Sequence, residues 1–355
     1  MHVPSTPGLV VLFGSGETSA SGSKIFQALA PRLQRPLKFA VLETPAGFEL
    51  NSAQVAERVA DFIRQRLQNE KPTVQVIPAR KRGTAFSPDA SEIVAPLQTV
   101  SAIFLGAGSP TYAARQLKHS LAWQTLLAAH QLGAAVILAS AATLAASAHL
   151  IPVYEIFKAG EDAHWRDGLG LLEAFGLHVI FVPHWNNAEG GADLDTSRCF
   201  IGQRRFEDLL NRLPAGHTLV GIDEHTALVM DWTTHRCEVM GIGSVTIIRD
   251  GEAGRTQKTW AARENFAFTE LGAYHLPQTH PDIPVSVWAA VQAARAAASE
   301  TEPVPEAVQR LLAERQTARA AKNWPAADAV REKLSALGWQ VKDTAQGPVA
   351  ERMKV

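Results

Sequence analysis

The sequence predicts an α/β fold built on a parallel sheet, followed by a small helical hairpin. Short runs that are apolar at every position alternate with longer amphipathic stretches as far as residue 182. Such strands are buried on both faces, and the helices between them provide the crossovers that parallel pairing needs. The candidate strands are residues 9–13, 39–42, 74–77, 102–105, 134–139 and 178–182, and the candidate helices between them include residues 53–68 and 121–132.

Beyond residue 182 the apolar runs become closely spaced and are joined by short turns. This spacing leaves no room for crossover helices, so it indicates antiparallel pairing. We therefore expect an antiparallel extension at one edge of the sheet. The runs are residues 217–222, 226–231, 237–240 and 244–249.

Three prolines in LPQTHPDIP, residues 276–284, end the main domain. An alanine-rich helix is predicted over residues 285–299, and TEPVP at residues 301–305 is predicted to be a linker, since proline favours extended backbone. The predicted organisation is therefore a main domain at residues 1–275, a connector at 276–305 and a separate helical domain at 306–355.

The segment after residue 306 has the apolar spacing of two helices. Pro325 suits the first turn of the second helix, and Gly338 suits the position after its end. The two helices should share a small core. Its expected members are Leu311, Leu312, Trp324, Val330, Leu334 and Leu337.

The composition gives no reason to expect a nucleic-acid, membrane or acidic partner. Hydrophobic residues make up 46% of the chain and the net charge is −1, so no strong electrostatic field surrounds the protein. Cys199 and Cys237 form neither a disulfide framework nor a metal-ligand pattern. No signal peptide or membrane span is evident. We expect a cytoplasmic protein that requires neither metal nor cofactor.

A candidate nucleophile lies in AAVILASAATLAAS, residues 134–147. Here a buried strand runs into small residues and then a probable helix start, and Ser140 stands at the transition. A serine at such a turn projects from the carboxyl edge of the sheet, and the next N–H faces a developing oxyanion. The alternative is a small buried serine at the end of a strand.

Three further positions have polar or glycine residues at strand ends or turns. Gly106 and Gly108 follow one strand, His184 directly follows another, and Glu224 lies between two short strands. Each alone is compatible with a plain turn, a structural histidine or a solvated acid. Together, Ser140, His184 and Glu224 match a nucleophile, a base and an acid that orients the base.

These segments resemble the cyanophycinase and aspartyl dipeptidase group of serine peptidases over residues 8–250. GIDEHTALV, residues 221–229, closely matches the group's GIDENTAL turn. FLGAGSPTYAARQL, VILASAAT, VPHW and GSGE resemble its glycine-rich turn, its GTSAGA elbow, its histidine segment and its GGGE turn. The resemblance implies a flavodoxin-like three-layer core similar to class I glutamine amidotransferases.

The resemblance also implies roles for individual residues. Ser140 would be the nucleophile, His184 the general base and Glu224 the group that orients the histidine. The N–H groups of Ala141 and of the turn that includes Gly108 would form the oxyanion hole. Arg198 and Arg204, in the basic segment after the histidine, would bind a substrate carboxylate.

The chain departs from the group's pattern at several places. Leu138 and Ala142 stand where the group has glycine, Ala107 interrupts the glycine-rich turn, and residues 185–195 form an insertion after the histidine. These differences bear on the shape of the substrate pocket. A glutamine amidotransferase would need cysteine at position 140.

The tail has a resemblance of its own. Residues 311–348 resemble the carboxyl-terminal segment of cysteinyl-tRNA synthetase, whereas that enzyme's HIGH and KMSKS motifs and zinc ligands do not occur in this chain. Residues 304–355 carry nine basic and six acidic residues, a net charge of +3. The tail is therefore predicted either to contact tRNA or to pack as a hairpin on protein. The candidate RNA contacts are Arg315, Arg319, Lys322 and Arg331.

The sequence leaves two functions open. The first is a serine hydrolase that cleaves a small peptide-like or isopeptide-like amide next to an acidic residue. The second is a catalytically weak scaffold that binds a small ligand or tRNA through its tail. A homodimer is compatible with either function.

Overall fold

The computed structural model describes residues 6–213, 215–251, 254–278, 280–301, 305–344 and 347–353. The chain divides into two compact units, Met1–Arg295 and Ala296–Val355. The predicted boundaries at residues 275 and 305 stay predictions, and most of the predicted linker, residues 302–304, lies outside the described residues.

The described strands are β1 (Val10–Phe13), β2 (Lys38–Leu42), β3 (Thr73–Ile77), β4 (Ala102–Leu105), β5 (Ala135–Ala139), β6 (His149–Leu150), β7 (Arg166–Asp167), β8 (Val179–Val182), β9 (Thr218–Ile222), β10 (Thr226–Asp231), β11 (Arg236–Gly241), β12 (Ser244–Gly251), β13 (Gly254–Ala261), β14 (Asn265–Ala267), β15 (Trp339–Thr344) and β16 (Gly347–Arg352). The described α-helices are α1 (Ala20–Leu29), α2 (Ser52–Arg66), α3 (Ser91–Val94), α4 (Pro110–Leu117), α5 (Leu121–Gln131), α6 (Ala141–Ala145), α7 (Val153–Phe157), α8 (Gln203–Leu210), α9 (Val285–Thr301), α10 (Glu306–Ala320) and α11 (Trp324–Ala336).

Within the described residues, the first unit is built around an eight-stranded sheet. Its strand order is β14-β11-β10-β1-β5-β4-β2-β3. From β1 to β3 every neighbouring pair is parallel, whereas β10, β11 and β14 are added beside β1 in antiparallel pairs. The predicted parallel sheet and its antiparallel extension are both confirmed.

The strands are apolar throughout because both faces of the main sheet are covered. Val11 and Phe13 of β1 share a core with α1 and α2, whereas Val10 and Leu12 share the other core with α4, α5 and α6. Alternate side chains of one strand thus enter opposite layers, as the pleat of a strand requires. The prediction of a three-layer α/β fold is confirmed.

A second, four-stranded sheet corrects the predicted strand assignment. The sequence places residues 178–182 in the parallel sheet, but β8 pairs with β9 in a separate sheet of order β13-β12-β9-β8. β9 and β12, expected at the edge of the main sheet, also belong to this second sheet. An all-apolar strand is buried in either sheet, so its composition cannot identify its partner.

In the second unit, α10 and α11 form the predicted helical hairpin. The side chain of Asn323 accepts a hydrogen bond from the Ala326 N–H at 3.3 Å and caps α11, with Pro325 in its first turn. A β-hairpin of β15 and β16 follows, and the sequence analysis did not predict it.

The β-hairpin changes the expected core of the tail. The prediction that Trp324 and Leu337 belong to that core is wrong, because each is 55% exposed. Residues of the β-hairpin complete the core in their place, because they cover the apolar faces of the two helices. The buried apolar members are Val308, Val330, Leu334, Trp339 and Ala350.

A charged pair lies beside this small core. The Arg315 side chain is only 7% exposed and donates two hydrogen bonds to Asp343, at 2.9 and 3.1 Å. Arg319 donates to the same carboxylate. The hydrogen bonds from Arg315 hold the pKa of Asp343 below its usual value. The pair therefore ties α10 to β15.

Asp343→Asn should loosen the tail, because it leaves the buried charge of Arg315 without its counter-ion. Asp343 is 48% exposed, so water screens the pair, and we expect a loss of about 1–2 kcal/mol in the free energy of opening. Hydrogen exchange of the amides in residues 306–353, followed by mass spectrometry, measures this. Because folding lowers the pKa of Asp343, the stabilisation by its pair with Arg315 is present above about pH 4. It is lost as the pH falls through the lowered pKa of Asp343.

Asp328→Asn is the matched control. It removes the same charge from an exposed pair with Arg331 at 3.4 Å, and we expect a change below about 0.5 kcal/mol. Equal exchange in the two variants would contradict the role assigned to Asp343.

Candidate active site

Ser140 lies in a tight turn between β5 and α6. Its backbone angles, φ 53° and ψ −114°, are rarely adopted by residues other than glycine. The Ser140 N–H donates to the Phe13 carbonyl at 3.3 Å, and the Ala142 N–H donates to the Gly106 carbonyl at 3.3 Å. The neighbouring strand end and the glycine-rich turn therefore hold the strained residue at the carboxyl end of β5.

His184 reaches the same place from the second sheet. It follows β8 with φ 50°, and its N–H donates to the Gly14 carbonyl at 3.2 Å. The next N–H, of Trp185, donates to the carbonyl at the end of β9. These bonds place the imidazole Nε2 2.9 Å from the Oγ of Ser140.

Glu224 lies in the turn between β9 and β10. Its Oε1 is 2.8 Å from Nδ1 of His184 and 3.0 Å from Nδ2 of Asn187. Partial burial acts to raise the pKa of the Glu224 carboxyl, but the hydrogen bonds from His184 and Asn187 outweigh it and keep that pKa below its usual value. Glu224 is therefore a carboxylate at neutral pH.

The three predicted residues thus form one hydrogen-bonded line. Since Nδ1 of His184 faces a carboxylate, a neutral imidazole is expected to carry its proton there, which leaves Nε2 free to accept the proton of Ser140. The arrangement can deprotonate a hydroxyl and stabilise the imidazolium that results.

Sequence reasoning missed two residues that hold Glu224. Asn187 is buried and donates to its carboxylate, and the side chain of Asn186 accepts the Glu224 N–H at 2.8 Å. Both belong to the insertion at residues 185–195, which the sequence analysis treated only as a departure from the family pattern. Two adjacent amides directly after the histidine segment were the available signal.

The glycine-rich turn at residues 14–17 joins the parts of the site. The Gly14 N–H donates to the Thr226 carbonyl at 2.9 Å, and its carbonyl accepts from His184. A Cβ at this position would lie 2.2 Å from the Asp223 carbonyl oxygen, so only glycine fits. The close contact brings β1, β8 and the Glu224 turn together.

The two candidate oxyanion-hole residues come from α6 and from the glycine-rich turn after β4. Ala141 is the first residue of α6, where N–H groups have no acceptor within the helix. Gly108 has φ 147°, and a Cβ there would lie 1.9 Å from the Pro45 carbonyl oxygen. The contact of the Gly106 carbonyl with Ala142 keeps this turn next to α6.

The departures from the family's glycine pattern face the core. Leu138 and Ala142 are both buried in the hydrophobic core shared by the main sheet and α4 to α6. Their side chains are therefore accommodated by packing away from Ser140 Oγ.

The two arginines predicted to bind substrate differ in their surroundings. The Arg198 guanidinium stacks 3.9 Å from the centre of the Trp185 ring and donates to the Trp185 carbonyl at 2.8 Å. Arg204 is exposed on α8. Part of the hydrogen-bonding capacity of Arg198 is thus used within the insertion. Binding of substrate by Arg198 or Arg204 stays a prediction.

The four basic residues predicted to contact RNA separate into two kinds. Arg315 is buried within the tail and forms an ion pair with Asp343, so it is not available to contact RNA. Arg319 pairs with the same carboxylate. Lys322 and Arg331 are exposed. The Trp324 ring is also exposed, and the Arg319 guanidinium lies 5.9 Å from its centre.

The described residues contain neither a metal-binding cluster nor a helix suited to a membrane. No group of three or more histidine, cysteine, aspartate or glutamate residues there is arranged to hold a metal ion. None of the helices in the described ranges combines the length with the apolar character that a bilayer span requires.

The main unit resembles a solved peptidase. The crystal structure of a peptidase from an acI-B1 actinobacterium superposes with a TM-score of 0.59 at 23% identity, covering 75% of this chain and 98% of that protein. The likeness extends over the whole of that peptidase and shows a shared fold. A putative peptidase E from Listeria monocytogenes EGD-e superposes with a TM-score of 0.42 at 16% identity, covering 72% of this chain and 100% of that protein.

The tail matches a known domain. Residues 301–347 match the model of the cysteinyl-tRNA ligase anticodon binding domain. Cysteine–tRNA ligase 1 of Burkholderia lata is 59% identical over 44 residues, and the ligase of Methanosarcina mazei is 51% identical over 47 residues. These matches cover 12–13% of this chain and only 9–10% of the ligases. The predicted resemblance of the tail is confirmed.

The strained backbone of Ser140 has a measurable consequence. Ser140→Gly and Ser140→Ala both remove the hydroxyl, but only glycine adopts the observed φ and ψ without strain. We expect Ser140→Gly to exceed Ser140→Ala in free energy of unfolding by about 1 kcal/mol. Urea denaturation of the two variants measures the difference.

Ala139→Gly, one residue earlier in β5, is the control for glycine itself. In a regular buried strand glycine should destabilise by roughly 0.5–1 kcal/mol or more. A Ser140→Gly variant no more stable than Ser140→Ala would contradict the strain.

Proposed function

We propose that this chain is a serine-type peptidase or amide hydrolase in which Ser140, His184 and Glu224 form the catalytic triad. The observation that most supports the proposal is the hydrogen-bonded line from Ser140 through His184 to Glu224, at 2.9 and 2.8 Å. The three residues come from two sheets and are far apart in sequence. The fold shared with a solved peptidase is consistent with this chemistry.

The proposed reaction begins with attack on an amide carbonyl. Nε2 of His184 takes the proton of Ser140 as Oγ bonds to the carbonyl carbon, and then gives that proton to the leaving amine. An acyl-enzyme remains on Ser140. Water, deprotonated by His184, attacks the acyl carbon. The bond from that carbon to Ser140 Oγ then breaks, His184 returns the proton to Oγ, and the acid leaves. Glu224 holds the imidazole and stabilises its charged form.

The negative charge that develops on the carbonyl oxygen needs hydrogen-bond donors. In this proposal the N–H groups of Ala141 and Gly108 supply them, since Ala141 directly follows Ser140 and the turn that includes Gly108 is bonded to α6 through the Gly106 carbonyl and the Ala142 N–H. Donors fixed in advance stabilise such a charge without further reorganisation.

The proposed substrate is a small peptide-like or isopeptide-like amide next to an acidic residue. The substrate carboxylate would bind Arg204 and Arg198. In Arg198, the N–H groups that do not donate to the Trp185 carbonyl would be available for this contact. The stacking on Trp185 restricts the Arg198 guanidinium to one face, so it is pre-organised for such a contact.

The triad predicts strongly non-additive kinetics. Ser140→Ala and His184→Ala should each lower the rate by about a thousandfold or more, and the double variant should lose little further, because the residues act as a unit. Glu224→Gln should cost less than either. Labelling by a fluorophosphonate probe and hydrolysis of a panel of aminoacyl-coumarin amides measure these effects.

Ser91→Ala, on the exposed start of α3, is the matched control and should label as the parent chain does. Equal labelling of the parent chain and Ser140→Ala would reject the hydrolase and favour a scaffold.

A second function, contact of the tail with tRNA, is favoured by two observations. The tail matches an anticodon binding domain, and its turn between α10 and α11 presents the exposed Trp324 ring beside Lys322. Exposed aromatic rings stack on unpaired bases, and nearby cations meet the phosphates. The exposed Trp324 ring would provide an aromatic surface for stacking, which the charge pattern alone lacks.

Trp324→Ala should weaken binding of bulk tRNA by about 5- to 100-fold, the range for loss of one stacked base. Lys322→Ala with Arg331→Ala should weaken it further and flatten its salt dependence. A gel-shift titration at low salt measures both, with Ser140→Ala as the control that leaves binding unchanged. No shift with the full-length protein would reject this second function.

A further inference from the structure

A turn with unusual backbone angles lies beside His184. The φ angles of its three residues, Arg198, Cys199 and Phe200, are 57°, 60° and 68°. Residues with a side chain rarely adopt positive φ, and they do so singly, because the Cβ atom then crowds the backbone. Three such residues in succession persist only where surrounding contacts hold them, and strain of this kind is concentrated at functional sites.

The contacts that hold this strained turn come from the segment of His184. The Cys199 N–H donates to the His184 carbonyl at 3.1 Å, and the Arg198 N–H donates to the Trp185 carbonyl at 3.0 Å. The turn is therefore bonded to the backbone of His184 and of the next residue. A side chain on the strained turn has a fixed position relative to the imidazole as a result.

Two of the three side chains of the strained turn have other uses. The Arg198 guanidinium stacks on the Trp185 ring. Cys199 is buried in the larger hydrophobic core, and this burial raises the pKa of its thiol to about 12. Cys199 is thus a neutral thiol that fills space, rather than a second nucleophile. The third side chain, Phe200, is only half-buried.

The Phe200 ring packs against the imidazole of His184. The two ring centres are 5.5 Å apart and the planes are tilted by 51°, which is within the range of a packed aromatic pair. Phe157, the last residue of α7, packs on Phe200 in turn, with ring centres 5.8 Å apart. A second aromatic ring therefore supports the one that contacts the imidazole.

The hydrogen bonds of His184 do not by themselves fix its ring. Nε2 is 2.9 Å from Ser140 and Nδ1 is 2.8 Å from Glu224. Hydrogen bonds to imidazole nitrogens are directed along the ring plane, so the ring can still rock about the line that joins the two nitrogens. Packing against the faces of the ring resists that motion. The His184 side chain is only 15% exposed, and Phe200 is one of the groups that cover it.

We propose that Phe200 is a positioning residue, which holds the imidazole of His184 within reach of Ser140. The inference rests on the proposed hydrolase function and adds to it a residue that acts through the base. Transfer of the serine proton requires Nε2 at hydrogen-bond distance and in the right direction. The strain of the turn is compensated by the packing that fixes the base.

The test follows the labelling of Ser140 in the full-length protein over a range of fluorophosphonate concentrations. The labelling rate at saturating probe depends on the base, and the half-saturating concentration depends on binding of the probe. Phe200→Ala should lower the saturated rate by about 10- to 100-fold, as for a displacement of about 1 Å, and leave the half-saturating concentration within about twofold. Phe200→Leu should recover most of the rate, because leucine fills much of the same space.

Phe200→Gly separates loss of the ring from poor folding. It removes the same ring, but glycine adopts the observed φ of 68° without strain. This variant is therefore expected to fold even if Phe200→Ala does not. Its saturated labelling rate should fall at least as far as that of Phe200→Ala.

Phe62→Ala is the matched control. It removes a half-buried phenylalanine of α2 whose ring centre lies 6.2 Å from that of Phe26, and neither residue belongs to the site. Both labelling parameters should stay unchanged in this variant.

An unchanged saturated rate in Phe200→Gly, or a loss that Phe200→Leu does not recover, overturns the role of Phe200 while the hydrolase stands. A change confined to the half-saturating concentration overturns it too, since Phe200 would then contact the probe and not position the base. If the probe does not label Ser140 in the parent chain, the proposed function fails and this inference fails with it.

Discussion

The contacts of Gly14 are the constraint on which the site depends. Its N–H binds the strand of the main sheet that follows Glu224, and its carbonyl binds the residue that leaves the second sheet at His184. Because a side chain at this position would collide with the Asp223 carbonyl, this close approach requires a residue without a Cβ. Ser140, after β5, and the imidazole of His184, after β8, meet next to this junction.

The backbone is strained at two residues near this junction, and the burial of apolar side chains compensates for that strain. Ser140 and His184 both have positive φ angles, which cost free energy for residues with a side chain. The strands that carry them, β5 and β8, are fully buried, and both contribute side chains to the larger of the two cores. Large apolar cores supply far more stabilisation than two strained residues remove. The insertion after His184 adds Asn186 and Asn187, whose side chains form hydrogen bonds with Glu224 and hold it in place.

The tail is stabilised differently from the main unit, because a segment of its size buries little apolar surface. Its core contains a handful of apolar residues from two helices and a β-hairpin, and the Arg315 pair with Asp343 joins these elements. That use of Arg315 explains why charge counting alone overestimates the basic surface. The residues left at the exposed turn, Trp324 and Lys322, form a smaller and more specific surface than the net charge of the segment implies.

The sequence by itself determined the elements that depend on local patterns. Apolar runs at the right spacing located the parallel strands, and the turn chemistry around Ser140, His184 and Glu224 located the polar residues at their ends. Only the tertiary structure decided which sheet β8 joins, which amides hold Glu224, and that Arg315 is buried whereas Trp324 is exposed. The physical reason is that burial and strand pairing are set by hydrogen bonds and packing between segments far apart in the chain. A run of apolar residues specifies that it must be covered, but not by which partner.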